Sequence, residues 1–540
     1  MTPPSDLRWS AAERWAVALL LVACAILDLY RLGVPPLFDQ DEGNYAQIAA
    51  EIVQTGDPVT LHVNGRPWYV HPPFYMWLVA ATGRVLGFSE WSVRIWSALF
   101  STVAVFATVL LGRAMFGRRV GLLGGAILAV TLQYLIQSRL AVFDTVLLAW
   151  MLLAVYAFYQ GYTTRRRVEY VWFFLFAGLA TLTKGPIGLV LPGLVLIVFL
   201  SLRGAWPRWR EVPWGAGLAV YAAVGLSWYG VQIGLHGSAF VSSNIGYYTL
   251  HRYFGVVEKH AGPWYLYLPV ALFGGFPWTA FWPAAAALHF RRWRVSDGSL
   301  LVLLWVVIPM VFYSAAQTKL PGYIMPIFPF AAVGVAALWE PVLSSRRLNT
   351  PVAASLWALL ILVAALLSAV AGYLATYHPG PYQMARHALV IPAGVLVAGI
   401  GIVLLLALTG RTVASFVVLW AAMAVTWLAL LTWVIPLVEA QMPPTKPLAQ
   451  QIKAVLQPGD RIVAYKMDIA SSLIFYSGHP TEWAETPAAL QRDLCAPGRV
   501  FLLITNEEMA KLHWTPSGLR PFAARGGTLV FLKPASAQCA

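Results

Sequence analysis

Apolar stretches of about twenty residues recur through the first 440 positions, separated by short charged or proline-containing connections. Each is long enough to cross a bilayer, and in hydrocarbon only a helix or a closed barrel satisfies its own backbone. The runs are continuous and too long for strands, which selects helices. About thirteen spans follow, from 15–33 to 413–437, and hence an all-α polytopic membrane protein. Of the 540 residues, 11% are charged and 59% hydrophobic, against roughly 25% charged in a soluble domain. The formal charge of +14 does not imply nucleic-acid binding, because the basic residues sit in short loops between apolar segments.

Those loops set an orientation. Arg113/Arg118/Arg119, Arg165/Arg166/Arg167, Arg203/Arg208/Arg210, Arg291/Arg292/Arg294, Arg346/Arg347 and Arg411 fall in alternate connections. The intervening ones carry Asp39, Asp41, Glu42, Glu51, Asp57, Glu90, Asp144 and Glu258. The positive-inside bias assigns the arginines to the cytoplasm, and an odd span count puts the N-terminus inside and the C-terminus outside. Near Glu439 the composition turns ordinary, after which Pro443, Pro444 and Pro447 form a linker. Two domains are expected: 1–438 in the membrane, with interfacial helices in the 34–91 loop, and 439–540 as a small α/β domain outside it. RIVAY (461–465), VFLLIT (500–505) and TLVFLK (528–533) read as strands, and 447–456 and 484–494 as helices. Cys495 and Cys539 could pair in an oxidising compartment. Neither G-x-G-x-x-G nor a phosphate-loop motif is present, which argues against an ATP-driven pump.

Candidate chemistry clusters on the outer side. FDQDEGNYAQIAAEIVQTG crowds Asp39, Asp41 and Glu42 beside a bilayer that penalises charge. Tyr45, Ile48, Ala49, Ile52 and Val53 then follow helical spacing, suggesting a helix with one face in lipid. Asp41 reads either as a helix cap or as a group facing a cationic partner or substrate. In SRLAVFDTVLLAW, Asp144 heads a helix and is a cap, an ion-pair partner of Arg139, or a base. Lys184 in TLTKGPIG and Lys319 in AAQTKLPGYIMPIFP are cations where the inside rule would not put them. They either snorkel or bind an anion such as phosphate. Arg252, in NIGYYTLHRYFGVVEKHAGPWY, could join them. His71 in RPWYVHPPFYMW is a structural elbow or part of a site wall. His71, His251, His260 and His378, with nearby carboxylates, leave a divalent metal open, although no spacing matches a ligand motif.

Taken together, DE-x-x-Y, R-x-x-x-x-D, TKGP, GPWYLYLPV and KLPGYIMPIFP resemble the motif series of the protein O-mannosyltransferase-like superfamily of C-type membrane glycosyltransferases. The nearest branch is the lipid A aminoarabinose transferases, with thirteen spans and a C-terminal periplasmic domain. The resemblance implies the C-type fold in a bacterial inner membrane. It also implies inverting transfer of a sugar from a polyprenyl phosphate to lipid A, a glycan or a protein. Asp41 and Asp144 become the catalytic candidates; Lys184, Arg252 and Lys319 the donor-phosphate candidates; Glu42, Tyr45, His71, Arg139 and Tyr323 the substrate-binding candidates. Two places depart from the branch: Asn44 and His71 stand where it usually carries cations, so the sugar and acceptor stay open, and mannose or galacturonic acid are alternatives. No cofactor is required, because the donor carries its own leaving group. The expected partners are the lipid-linked donor, the acceptor and membrane lipid, with the chain a monomer. The competing class is a secondary transporter or flippase using Asp41, Asp144 and Lys319 as coupling charges. That class commonly shows paired broken helices near the midplane and an internal repeat; here the ionisable residues cluster on one side instead.

Overall fold

The protein is described from a computed structural model covering residues 9–38, 41–376, 381–441, 444–467, 470–512 and 518–536. It divides into two compact units, one of residues 1–32, 69–75 and 95–434, the other of residues 33–68, 76–94 and 435–540. The units therefore do not follow a single cut near 438, because the 34–91 segment contributes most of its length to the second.

The first unit is helical, and each apolar stretch forms helix. Among the described residues, eight helices are long and apolar enough to cross a membrane by length and composition. Shorter apolar helices such as Ile187–Arg203 accompany them. This is a multi-pass membrane protein. Its arginine-bearing turns are held by acids from neighbouring segments: Arg113 to Glu13 at 2.9 Å, Arg165 to Glu211 at 2.8 Å and Arg203 to Asp297 at 2.6 Å. Helices Asp144–Thr164 and Arg167–Lys184 form a hairpin, closed where Arg165 adopts a left-handed conformation. Helix runs from Trp214 through a π-type segment, breaks at Gly237, whose backbone is non-helical, and resumes to Phe254, carrying Arg252 in its last turn.

The second unit is built on a five-stranded sheet ordered Thr481–Ala484, Arg461–Tyr465, Val500–Thr505, Thr528–Lys533, Arg520–Arg525. The first three strands are parallel and the last two pairings antiparallel. Three of these strands are those expected. The other two lack a long apolar run: TEWA is buried at both ends and half-buried between, and RPFAAR is exposed at both ends. Val463, Tyr465, Leu490, Leu494, Val500, Leu502 and Ile504 form a core between the sheet and helix Pro487–Cys495.

One expectation is corrected here. Helix Asp41–Thr55 does not turn its apolar stripe to lipid: Tyr45, Ile48 and Ala49 are at most 3% exposed. It packs on helix Ala470–Ser477 instead. Gly43 permits the approach, since a Cβ there would lie 2.8 Å from the Ser472 amide nitrogen. The amphipathic pattern reported a buried face correctly, but periodicity cannot distinguish protein from lipid as the apolar partner. Cys539 of the suggested Cys495–Cys539 bridge, together with Asp39 and His378, falls outside the described residues, while Cys24 is a buried free thiol.

Candidate functional site

In the helical unit, Asp144 opens helix Asp144–Thr164 and Lys184 closes Arg167–Lys184, so the hairpin brings an amino terminus beside a carboxyl terminus. A carboxylate at the first end and an ammonium at the second are both favoured by the helix dipoles. Their charges meet at 2.6 Å, with side chains 14% and 13% exposed. Asp144 thus pairs with Lys184, not with Arg139 five residues before it. Two rings flank the ammonium, Phe143 at 4.9 Å and Tyr323 at 4.6 Å, near enough for cation–π attraction.

Tyr323 sits in the tight turn Pro321–Ile324. The turn comes close because residue 322 is glycine: a Cβ there would lie 2.6 Å from Gln137 Nε2 and 3.3 Å from Asp144 Oδ2. His71 meets Phe143 edge to face at 4.7 Å. Burial, aided by the positive charges of Arg252 and Lys184, holds its imidazole well below the ordinary histidine pKa, so it is neutral at pH 7. Five dispersed motifs of this unit thereby share one locality: the His71 segment, Arg252, Phe143–Asp144, Lys184 and the Pro321 turn.

Arg139 has a different task. Its guanidinium donates to the Leu27 carbonyl at 3.3 Å and the Asp28 carbonyl at 2.6 Å. The fully buried Asp28 carboxylate accepts from Ser138 Oγ at 2.7 Å and Ser101 Oγ at 2.8 Å. Asp28 and Arg139 together anchor the turn that delivers Phe143 and Asp144. Asp28 escaped the sequence reading, although a carboxylate inside AILDLY was the available signal.

Arg252 and Lys319 stand on two segments sewn together. The Gln317 amide donates to the Tyr253 carbonyl at 2.9 Å, the Val257 amide to Thr318 Oγ1 at 3.0 Å, and the Lys319 amide to the His260 carbonyl at 2.9 Å. Arg252 pairs with Glu258 at 3.4 Å, and the buried Lys319 ammonium donates to the Ala316 carbonyl.

The remaining candidates belong to the second unit. Asp41 is exposed at the start of helix Asp41–Thr55 and accepts from Tyr45 Oη at 3.4 Å. Glu42 is 2% exposed and committed to Arg94 through two contacts, at 2.8 and 2.7 Å, while accepting the Phe38 amide at 2.8 Å. Arg94 completes the knot on the Pro35 and Pro36 carbonyls at 2.7 and 2.9 Å. Glu42 therefore holds the loop that precedes Asp41. Among the described residues, no three His, Cys, Asp or Glu side chains gather as metal ligands. His251 stacks on Tyr247 and His260 lies 3.8 Å from Glu258.

Residues 70–229 match the family model described as dolichyl-phosphate-mannose-protein mannosyltransferase. The undecaprenyl phosphate-alpha-4-amino-4-deoxy-L-arabinose arabinosyl transferase 2 of Pseudomonas fluorescens is 30% identical over 385 residues, 68% of this chain and 64% of that protein. The corresponding transferase of Aeromonas salmonicida is 28% identical over 330 residues, 60% of this chain and 59% of its own length. The matches thus span about three-fifths of the length of these relatives. ArnT from Cupriavidus metallidurans, solved bound to undecaprenyl phosphate, superposes with a TM-score of 0.85 at 23% identity, covering 97% of this chain and 99% of that one. The chain belongs to the protein O-mannosyltransferase-like superfamily, near the aminoarabinose transferase branch. Its fold is that of the C-type membrane glycosyltransferases, shared more distantly with the Archaeoglobus fulgidus oligosaccharyltransferase at a TM-score of 0.52, 13% identity and coverage of 98% and 76%. On this C-type scaffold, the segment matched by the family model carries His71, Arg139, Asp144 and Lys184.

Proposed function

We propose that this protein is an inverting glycosyltransferase that takes a sugar from an undecaprenyl (polyprenyl) phosphate and delivers it to an acceptor on the periplasmic side of the inner membrane. The leading pair is 4-amino-4-deoxy-L-arabinose and a lipid A phosphate, as the names of its relatives suggest; another sugar on a glycan or protein is the alternative. The observation that carries the reading is the half-buried Asp144–Lys184 pair, ringed by Phe143, Tyr323 and His71. It lies on a fold shared along nearly the whole chain with a protein solved with undecaprenyl phosphate bound.

The acceptor oxygen attacks the anomeric carbon as the bond to the phosphate oxygen breaks, so negative charge grows on the leaving phosphate. Lys184, aimed by Asp144, receives that charge together with Arg252 and Lys319. It strengthens its hold as the bond breaks, which lowers the barrier instead of merely tightening binding. Neutral His71 presents a ring nitrogen to hydroxyls and adds no competing charge. Asp41 removes the proton when the acceptor is a hydroxyl; an acceptor phosphate is already ionised, and Asp41 then orients the sugar. The enzyme acts as a monomer, with its N-terminus cytoplasmic and its C-terminus periplasmic. Purified protein supplied with radiolabelled undecaprenyl phosphate sugars and lipid A should transfer label. An Asp41→Asn variant that keeps full transfer to a hydroxyl acceptor removes the base assignment, and loss of transfer in EDTA would bring a metal into the step.

A further inference from the structure

The second unit holds a cavity of about 570 Å³, walled by helices Asp41–Thr55, Thr445–Lys453 and Ala470–Ser477 and by residues 88–90 and 478–480. That volume lies within the usual range for small-ligand sites. None of the residues assigned to transfer lines it. Its chemistry is layered. At the base, two buried carboxylates are already engaged. Glu51 accepts from Gln47 at 2.7 Å and from the Asn64 and Gly65 amides at 2.6 and 3.1 Å. Glu90 accepts from Lys446 at 2.5 Å and Tyr476 Oη at 2.9 Å. Phe88 and Phe475 add an apolar wall, their rings edge to face at 6.2 Å. At the mouth, Gln54, Gln450 and Lys453 are exposed, with His479 half-buried beside them.

We propose that this cavity is a second binding site, for a hydroxyl-rich saccharide that carries an anionic group. Side-chain amides offer donors and acceptors to sugar hydroxyls, and aromatic walls suit the C–H faces of sugar rings. With both inner acids consumed, Lys453 is the exposed charge at the mouth, and a lysine serves an anion such as phosphate as a point charge. The three helical walls offer no strand edge, which disfavours an extended peptide. A lipid tail does not match a lining so rich in polar groups. The inference deepens the transfer reading, on which it rests for the use made of the bound saccharide: the cavity would hold part of a glycan acceptor away from its reacting atom.

Calorimetric titration of the purified full-length protein tests it. The probes are the phosphorylated oligosaccharide freed from lipopolysaccharide by complete deacylation, the same oligosaccharide after dephosphorylation, and inorganic phosphate. The phosphorylated probe should bind most tightly, the dephosphorylated one roughly tenfold more weakly, as befits loss of one charged hydrogen bond. Phosphate alone should bind weaker still. Lys453→Glu should cost the phosphorylated probe about tenfold or more without changing circular dichroism, and Gln450→Leu should weaken both oligosaccharides. Lys511→Glu, another exposed lysine of the same unit, should leave binding intact. Equal binding by Lys453→Glu and wild type, phosphate binding as well as the oligosaccharide, or loss of binding in Lys184→Met would each overturn the assignment. Binding without any sugar transfer would remove the enzyme reading and leave the cavity assigned, whereas transfer without oligosaccharide binding would do the reverse.

Discussion

Neutralising Lys184 by Lys184→Met leaves the Asp144 carboxylate without its ammonium, in surroundings where it is 14% exposed. At 2.6 Å and an effective dielectric of about 20, the gross attraction is about 6 kcal/mol. Desolvation of both groups cancels part of it, and removing one partner of a buried pair typically leaves a deficit of about 3 kcal/mol. Asp144→Asn should cost less, because the amide oxygen still accepts from the ammonium. The double variant should be more stable than the sum of the two singles implies, with a coupling of about 2 kcal/mol. Transfer should behave otherwise. If Lys184 receives the leaving phosphate, Lys184→Met and the double variant should both lose about 10²- to 10³-fold in turnover, while Asp144→Asn loses less. The assays are thermal unfolding in detergent and initial rates with a labelled undecaprenyl phosphate sugar, across all four proteins. A double variant that recovers turnover along with stability would refute the reasoning, because the pair would then be a structural clamp and nothing more.

Three further outcomes are expected. Arg94→Met should lower stability by about 3 kcal/mol or more, seen as reduced yield and melting temperature, and Arg94→Lys should not restore it because a lysine cannot reproduce the two-pronged contact with Glu42. Gly43→Ala should destabilise by about 1–3 kcal/mol, because the new Cβ meets the Ser472 backbone, which cannot swing aside. Burial depresses the His71 pKa in the fold, so the unfolded chain takes up a proton there that the native protein refuses. Stability from this group is full above the unfolded value near 6.5 and declines as pH falls below it, by at most about 1.4 kcal/mol per pH unit. Unfolding measured from pH 7.5 to 5 should show that slope in the wild type and a shallower one in His71→Gln; identical slopes would exclude His71 as its source.

How much was legible in advance depended on range. A helix in hydrocarbon must satisfy its own backbone over about twenty residues, so the membrane helices are written locally in the sequence. The same holds for RIVAY, VFLLIT and TLVFLK, whose apolar runs mark buried strands wherever they pair. Lys184 and Asp144 were conspicuous because a charge between apolar segments needs a reason, and the motif order supplied the superfamily. Partnership was not written there. Arg139 lies five residues from Asp144 in sequence, yet the ammonium that meets Asp144 comes from forty residues away, because the hairpin sets one helix's start beside the other's end. The stripe on helix Asp41–Thr55 demanded an apolar neighbour; only folding decided that it would be Ala470–Ser477, more than four hundred residues later. Short-range pattern fixes what a segment must bury or neutralise, and the choice of which distant group does so belongs to the packing of the whole chain.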